Sequence, residues 1–178
     1  IQAAIDDASA PDRIEIASES FQEQVVVDKK LLLKGNDPGQ TTIKSPASLS
    51  ESFKAGESDS SGTDYPVVLV GGEGAQIRGL TVDGARNAEN NMHFVGVGVD
   101  DVSASLINAE VTNVMEDPFS GSQHGEGIFA HANSGTSRTV TIHNVDIHDY
   151  QKGGITAEGD DLSITVADTS VTGTGETD

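Results

Sequence analysis

Residues 76–84 read Gln-Ile-Arg-Gly-Leu-Thr-Val-Asp-Gly, two short alternating segments joined by one glycine. The same design returns at residues 105–113, 141–149 and 165–173, with Asn108, Asn144 and Asp168 in the place of Gly79. Aligning Val82, Val111, Ile147 and Val171 brings Ile77, Leu106, Ile142 and Val166 into one column. It brings Ala75, Ala104, Val140 and Ile164 into another. The units lie 29, 36 and 24 residues apart, so loops absorb the differences. One unit cannot bury its own alternating face, whereas stacked units bury a continuous apolar column. Parallel strands then lie about 4.8 Å apart. Alternation turns Thr81, Glu110, Asp146 and Ser170 outward. The joining residue has to bend the chain at positive φ, which Gly, Asn and Asp tolerate best. Stacked Asn amides can also hydrogen-bond along the axis.

Each unit holds a further strand. The spacing predicts first strands at 67–70, 95–99, 127–131 and 154–158. Second strands fall at 75–78, 104–107, 140–143 and 164–166, and third strands at 80–83, 109–112, 145–148 and 169–172. Upstream, Ile1, Ala4, Ile5 and Ala8 share one face of a short helix that ends before Pro11. Strand-like segments follow at 13–17, 25–27, 31–34 and 41–44, with a turn at 36–39. Residues 45–65 break the pattern with seven serines and read as a surface loop, with a helical turn near 49–54. The expected architecture is all-β, a parallel β-helix (solenoid) with a short capping α-helix at residues 1–10. It forms a single domain over residues 1–178, with residues 45–65 as a surface loop insertion.

The N-terminal run IQAAIDDAS…DRIEIASESFQEQVVVDKKLLLKGNDPGQTTI resembles the opening of right-handed parallel β-helix proteins of the pectate-lyase-like superfamily. Phe21 to Leu31 fills that family's pattern, while Glu19-Ser20 departs from it where glycine is common. The bend column Gly79, Asn108, Asn144 and Asp168 resembles the family's asparagine ladder. The resemblance implies a right-handed coil with a helix over its N-terminal end, and a substrate class of polysaccharides. A weaker resemblance, to copper-maturation-type periplasmic β-helices, lacks the Met, His and Cys richness expected for soft metals.

Charge narrows the partners. Asp and Glu number 29 against 10 Lys and Arg, for a formal net charge of −19. The acids are dispersed along a chain whose apolar residues are periodic, which argues for folding rather than disorder. A dispersed acid excess with six lysines resembles proteins of extreme halophiles, especially haloarchaea. The same excess opposes nucleic acid and anionic membranes, which need Lys and Arg for neutralisation. No apolar run approaches the ~20 residues of a membrane span. With no cysteine, neither a disulfide framework nor thiol chemistry is available.

Outward residues at one register form ladders, and long loops at 84–94, 113–126 and 150–153 follow the third strands. They border the first-strand sheet, which holds the substrate cleft in the superfamily's enzymes. On that sheet Gly71, Asp100, His131 and Glu158 form one outward column. Asp100 and Glu158 fall two rungs apart, about 10 Å, with His131 between them. Asp101, Glu126 and His124 are expected nearby, and Phe129 is expected to offer a face for sugar stacking. Two chemistries suit these types. One is acid/base catalysis by a histidine poised between carboxylates, or by paired carboxylates at a separation just beyond the inverting range. The other is Ca²⁺ held by Asp100, Asp101 and Glu158. A calcium-dependent β-elimination also needs a strong base, for which Arg86 and Lys152 are the candidates. Against this, an Asp-His-Glu column arises easily by chance among 29 acids. His148-Asp149 beside Lys152 is a candidate second site, set against the more favoured reading of a surface histidine; His143 reads as a surface residue and His93 as packing a loop end. Gly71-Gly72-Glu73-Gly74 joins two strands and does not open a phosphate-binding helix.

The expectation is a secreted or cell-surface, extracellular β-helix that binds, and as a lyase or glycosidase cleaves, a polysaccharide in high salt. The competing expectation is a non-catalytic adhesion or tail-spike-like module. Its supports are the missing lyase or hydrolase motif and a polar Thr/Gly run at 172–178 with no capping element. Further chain or self-association would cover that end.

Overall fold

The computed structural model describes residues 1–54, 63–91, 93–122 and 124–175. A short helix, α1 (Gln2–Asp7), precedes fifteen strands among the described residues. Every pairing within the two sheets is parallel. The smaller sheet stacks β3 (Val25–Val27), β6 (Tyr65–Val70), β9 (Phe94–Asp100), β11 (Glu126–His131) and β13 (Gly153–Glu158), which are the first strands. The larger sheet is bent. One half holds the second strands, β1 (Arg13–Glu15), β4 (Leu32–Lys34), β7 (Ala75–Arg78) and β14 (Leu162–Ala167). The other half holds the third strands, β2 (Ser20–Gln22), β5 (Thr42–Lys44), β8 (Thr81–Asp83) and β15 (Ser170–Thr172). Two long strands, β10 (Ala104–Thr112) and β12 (Arg138–His148), run through the bend and belong to both halves.

The expected registers are present. Leu106 pairs with Ile77 and Ile142, and Ile142 with Val166. Val111 pairs with Val82 and Ile147, and Ile147 with Val171. These columns are the core: Ile77, Val82, Leu106, Val111, Ile142 and Ile147 are all buried. Each contributes roughly 1.5–3 kcal/mol relative to exposure. At the bend, Gly79, Asn108, Asn144 and Asp168 all have φ between 48° and 66°. The Asn144 side-chain amide donates to Asn108 Oδ1 at 2.8 Å, and Asn108 donates to Asp37 Oδ1 at 3.3 Å. The ladder is formed between Asn144 and Asn108, and Asn108 carries it on to Asp37 in the turn at 36–39.

The helix covers the first coil. Ile5 is fully buried against the core. The Gln2 side-chain amide pairs with the edge strand β3, accepting from Val26 N–H at 2.7 Å and donating to Val26 O at 3.3 Å. Lys29 Nζ donates to the carbonyls of Ile5, Asp6 and Ala8 at 2.9–3.2 Å, satisfying orphan acceptors at the helix end. At the last coil, the column residues Val166 and Val171 are 48% and 44% exposed. No helix among the described residues is long and apolar enough to cross a membrane.

Two local readings need correction. The segment Ser20–Gln22 is a strand that its three exposed or half-buried residues did not signal. Residues 45–54 contain no helical turn and do not stand free of the body. Leu49 and Phe53 are buried, and Gln24 staples the segment, accepting from Ser50 and Glu51 N–H and donating to Glu51 and Pro66 carbonyls. Phe53 also forms an antiparallel bridge with Asp64. The middle of the expected loop, residues 55–62, lies outside the described residues.

Candidate functional site on the first-strand sheet

The column read from sequence exists. His131 at the end of β11 pairs in register with Asp100 of β9 and Glu158 of β13. His131 Nδ1 stands 3.5 Å from Asp100 Oδ1. The imidazole is 5% exposed, and neither ring nitrogen has a hydrogen-bond partner. Asp100 is 41% exposed. Glu158 is half-buried.

The other expected members are elsewhere. Asp101 follows the strand at φ 50°, which turns its side chain away from its neighbour's column. Its carboxylate accepts from Ser134 Oγ at 2.9 Å and lies 3.6 Å from Arg138 Nε. The Ser134 hydrogen bond is the largest influence and, helped by the Arg138 charge, outweighs burial to hold the Asp101 carboxyl below its ordinary range. Arg138 also pairs with Glu73 at 3.0 Å. Asp101 thus belongs to an ion-pair network, not to a calcium cage with Asp100 and Glu158. Among the described residues, no three His, Cys, Asp or Glu side chains are grouped to hold a metal ion.

Arg86, Lys152, His124 and Glu126 gather at the opposite end of the sheet, where the wall loops feed into the strands. Glu126 opens β11 and His131 closes it, so roughly 16 Å of strand separates them. Neither basic candidate can therefore serve the Asp100–His131–Glu158 column. Arg86 lies 4.0 Å from Asp117 and is 45% exposed. Lys152 Nζ is held 2.7 Å from Glu126 Oε1 as a counter-ion, while Glu126 Oε2 is buried without a partner. His93 donates its backbone N–H to His124 Nδ1 at 3.4 Å, and His93 Nδ1 is 3.7 Å from Asp64. Gln151 laces the walls together, accepting from Glu116 N–H and donating to Glu116, Ser120 and the Ser122 carbonyl.

Phe129 is not an open stacking platform. It is 6% exposed and packs with Phe53, Val95 and Leu69. The Phe53 ring meets it edge-on, with centroids 5.5 Å apart at 63°. The seat for Phe53 is Gly98, in register with Phe129 one coil earlier. A Cβ at Gly98 would stand 2.6 Å from the Phe53 ring. Phe53 and Gly98 are the residues that sequence reading missed. The available signals were a lone aromatic in a serine-rich stretch and a glycine interrupting a Val-rich strand.

No family model matches this chain, and no curated protein does. Solved structures do. One is a pectin methylesterase from Yersinia enterocolitica, 14% identical, with a TM-score of 0.52, covering 96% of this chain and 55% of that one. The likeness is one of fold, the right-handed parallel β-helix. A second structure, a pectin methylesterase in complex with hexasaccharide VII, is 12% identical at a TM-score of 0.49, covering 99% of this chain and 62% of that one. This β-helix spans just over half the length of the first relative.

Proposed function

We propose that this β-helix belongs to an extracellular, polysaccharide-acting protein, with the first-strand sheet as its carbohydrate side and Asp100, His131 and Glu158 as its acid/base group. The observation that carries the reading is His131, a buried imidazole with two unpartnered nitrogens beside a carboxylate. Buried polar groups are rarely left unpaired, and the exceptions often mark working sites. A proton on Nδ1 faces Asp100, which leaves Nε2 as the acceptor for a substrate proton. The ring is covered in this form, so the covering side chains have to yield to substrate. The fold and the printed name of its structural relative supply the substrate class, a pectin-like polysaccharide. Calcium held by Asp100 and Glu158 remains part of the proposal only with ligands beyond these two.

A non-catalytic glycan-binding module is the second reading. It is favoured by the Phe53–Phe129 contact, which fills the middle of the same face. The two readings separate in one assay. Methyl-esterified and de-esterified pectins are incubated with the protein in molar KCl, with and without Ca²⁺. Ester release, reducing ends and unsaturated products are followed. The catalytic reading expects turnover that falls at least ~100-fold in His131→Gln and in Asp100→Asn. Absence of turnover in the wild type, or full turnover in both variants, removes it.

A further inference from the structure

A concave surface lies on another face. A groove of about 750 Å³ runs along the outer side of the bend between second and third strands. Three registers, the bend residue and the two residues after it, repeat in it over three successive coils. The bend residues are Asn108, Asn144 and Asp168, and the outward residues are Glu110, Asp146 and Ser170. The turn at Pro38 and Gly39 closes one end. The first and third coils are about 10 Å apart, so the groove is elongated along the axis. Its volume is within the range of ligand sites.

The lining dictates the ligand. No Lys, Arg or His lines the groove, and three carboxylates do. An anionic glycan or a phosphate would meet uncompensated negative charge. The carboxylates are fixed by neighbours but not used up. Glu110 Oε2 accepts from Thr81 at 2.7 Å and its Oε1 lies 3.1 Å from His148 Nε2. Asp146 Oδ1 accepts from Ser170, and Asp168 Oδ2 lies 3.2 Å from His143 Nε2. Each carboxylate has about four acceptor positions, so acceptors remain in surplus. Exposed Asn144 and Ser170 and the half-buried ring of Pro38 add amide, hydroxyl and apolar surface. A partner rich in hydroxyl donors, uncharged, elongated and apolar on its ring faces meets all of these demands.

We infer that this groove is a second carbohydrate site, specific for a neutral oligosaccharide and separate from the first-strand sheet. A simple cation would need only the carboxylates; the amide, hydroxyl and proline surfaces favour the sugar. With no aromatic ring in the lining, affinity falls in the weak, micromolar-to-millimolar range.

The test is an NMR titration of ¹⁵N-labelled protein in molar KCl with defined hexasaccharides: neutral β-glucan, neutral β-galactan, hexagalacturonate and chitosan. At least one neutral hexamer is expected to shift the amides of Asn144, Asp146 and Ser170 saturably, while hexagalacturonate leaves them unmoved. Ser170→Arg, an exposed substitution that fills the groove, is expected to weaken that binding at least tenfold with an unchanged melting temperature. Asn144→Gly, which keeps the positive φ and removes the amide, is expected to weaken it several-fold. No shift with any neutral hexamer, shifts with hexagalacturonate or chitosan alone, or unchanged binding by Ser170→Arg overturns the inference. Pectin turnover and its dependence on His131 report on the other face, so the two proposals can fail independently.

Discussion

His148 is ringed by acid. Its Nε2 lies 3.1 Å from Glu110, its Nδ1 2.8 Å from Asp149 and 3.2 Å from Thr112 Oγ1, and Asp146 adds its charge. Burial is the largest single influence and disfavours the charged ring. Hydrogen bonds to Glu110 and Asp149, with the charges of Asp146 and Asp149, outweigh it and raise the pKa above 6.5. A raised folded-state pKa stabilises the fold below the unfolded value, and that contribution is lost as pH rises through the folded value. The melting-temperature advantage of wild type over His148→Gln is therefore expected to be larger at about pH 5.5 than at about pH 8.5. A flat or rising difference contradicts this. His148 was read from sequence as an ordinary surface histidine. Asp149 and Asp146 are local, but Thr112 and Glu110 come from the previous coil, 36 and 38 residues away, and no local spacing announces those two. Phe53 and Gly98 were hidden for the same reason. Their contact joins a loop to a strand 45 positions on, and only the folded coil brings them together.

At the scale of the strand, position in the stack decides what a side chain is worth. Ile142 and Val166 occupy the same column, yet Ile142 is fully buried between coils and Val166 is 48% exposed at the last one. Ile142→Ala is expected to cost about 2–5 kcal/mol by denaturant unfolding. Val166→Ala is expected to cost less than about 1 kcal/mol. Equal costs would mean that the last coil is covered in solution. The columns were legible because strand alternation has a period of two and the bend residue marks the register. The wall loops run into the starts of the first strands, whereas Asp100, His131 and Glu158 stand at their ends, so the length of β11 keeps Arg86 and Lys152 apart from that column.

For the whole molecule, the net charge of −19 is spread over a fold whose parallel strands stack every ~4.8 Å, so like charges repeat at short range. Screening extends over about 10 Å at 0.1 M salt and about 3 Å at 1 M. The melting temperature is expected to rise steadily from ~0.1 M to molar KCl, and a salt-independent melt would contradict a halophilic origin. Composition, repeat spacing and the Gly/Asn/Asp bend column by themselves determined the coil, its registers and its core, because burying an alternating face admits few arrangements. They also brought Asp100, His131 and Glu158 into one column. The tertiary structure alone decided which surfaces are open. It covered His131, seated Phe53 over Phe129, turned Asp101 into an ion-pair network, and left a concave, carboxylate-lined bend along the asparagine ladder. Outward alternation specifies a direction, but exposure depends on what the loops lay across that direction, and those contacts are long-range.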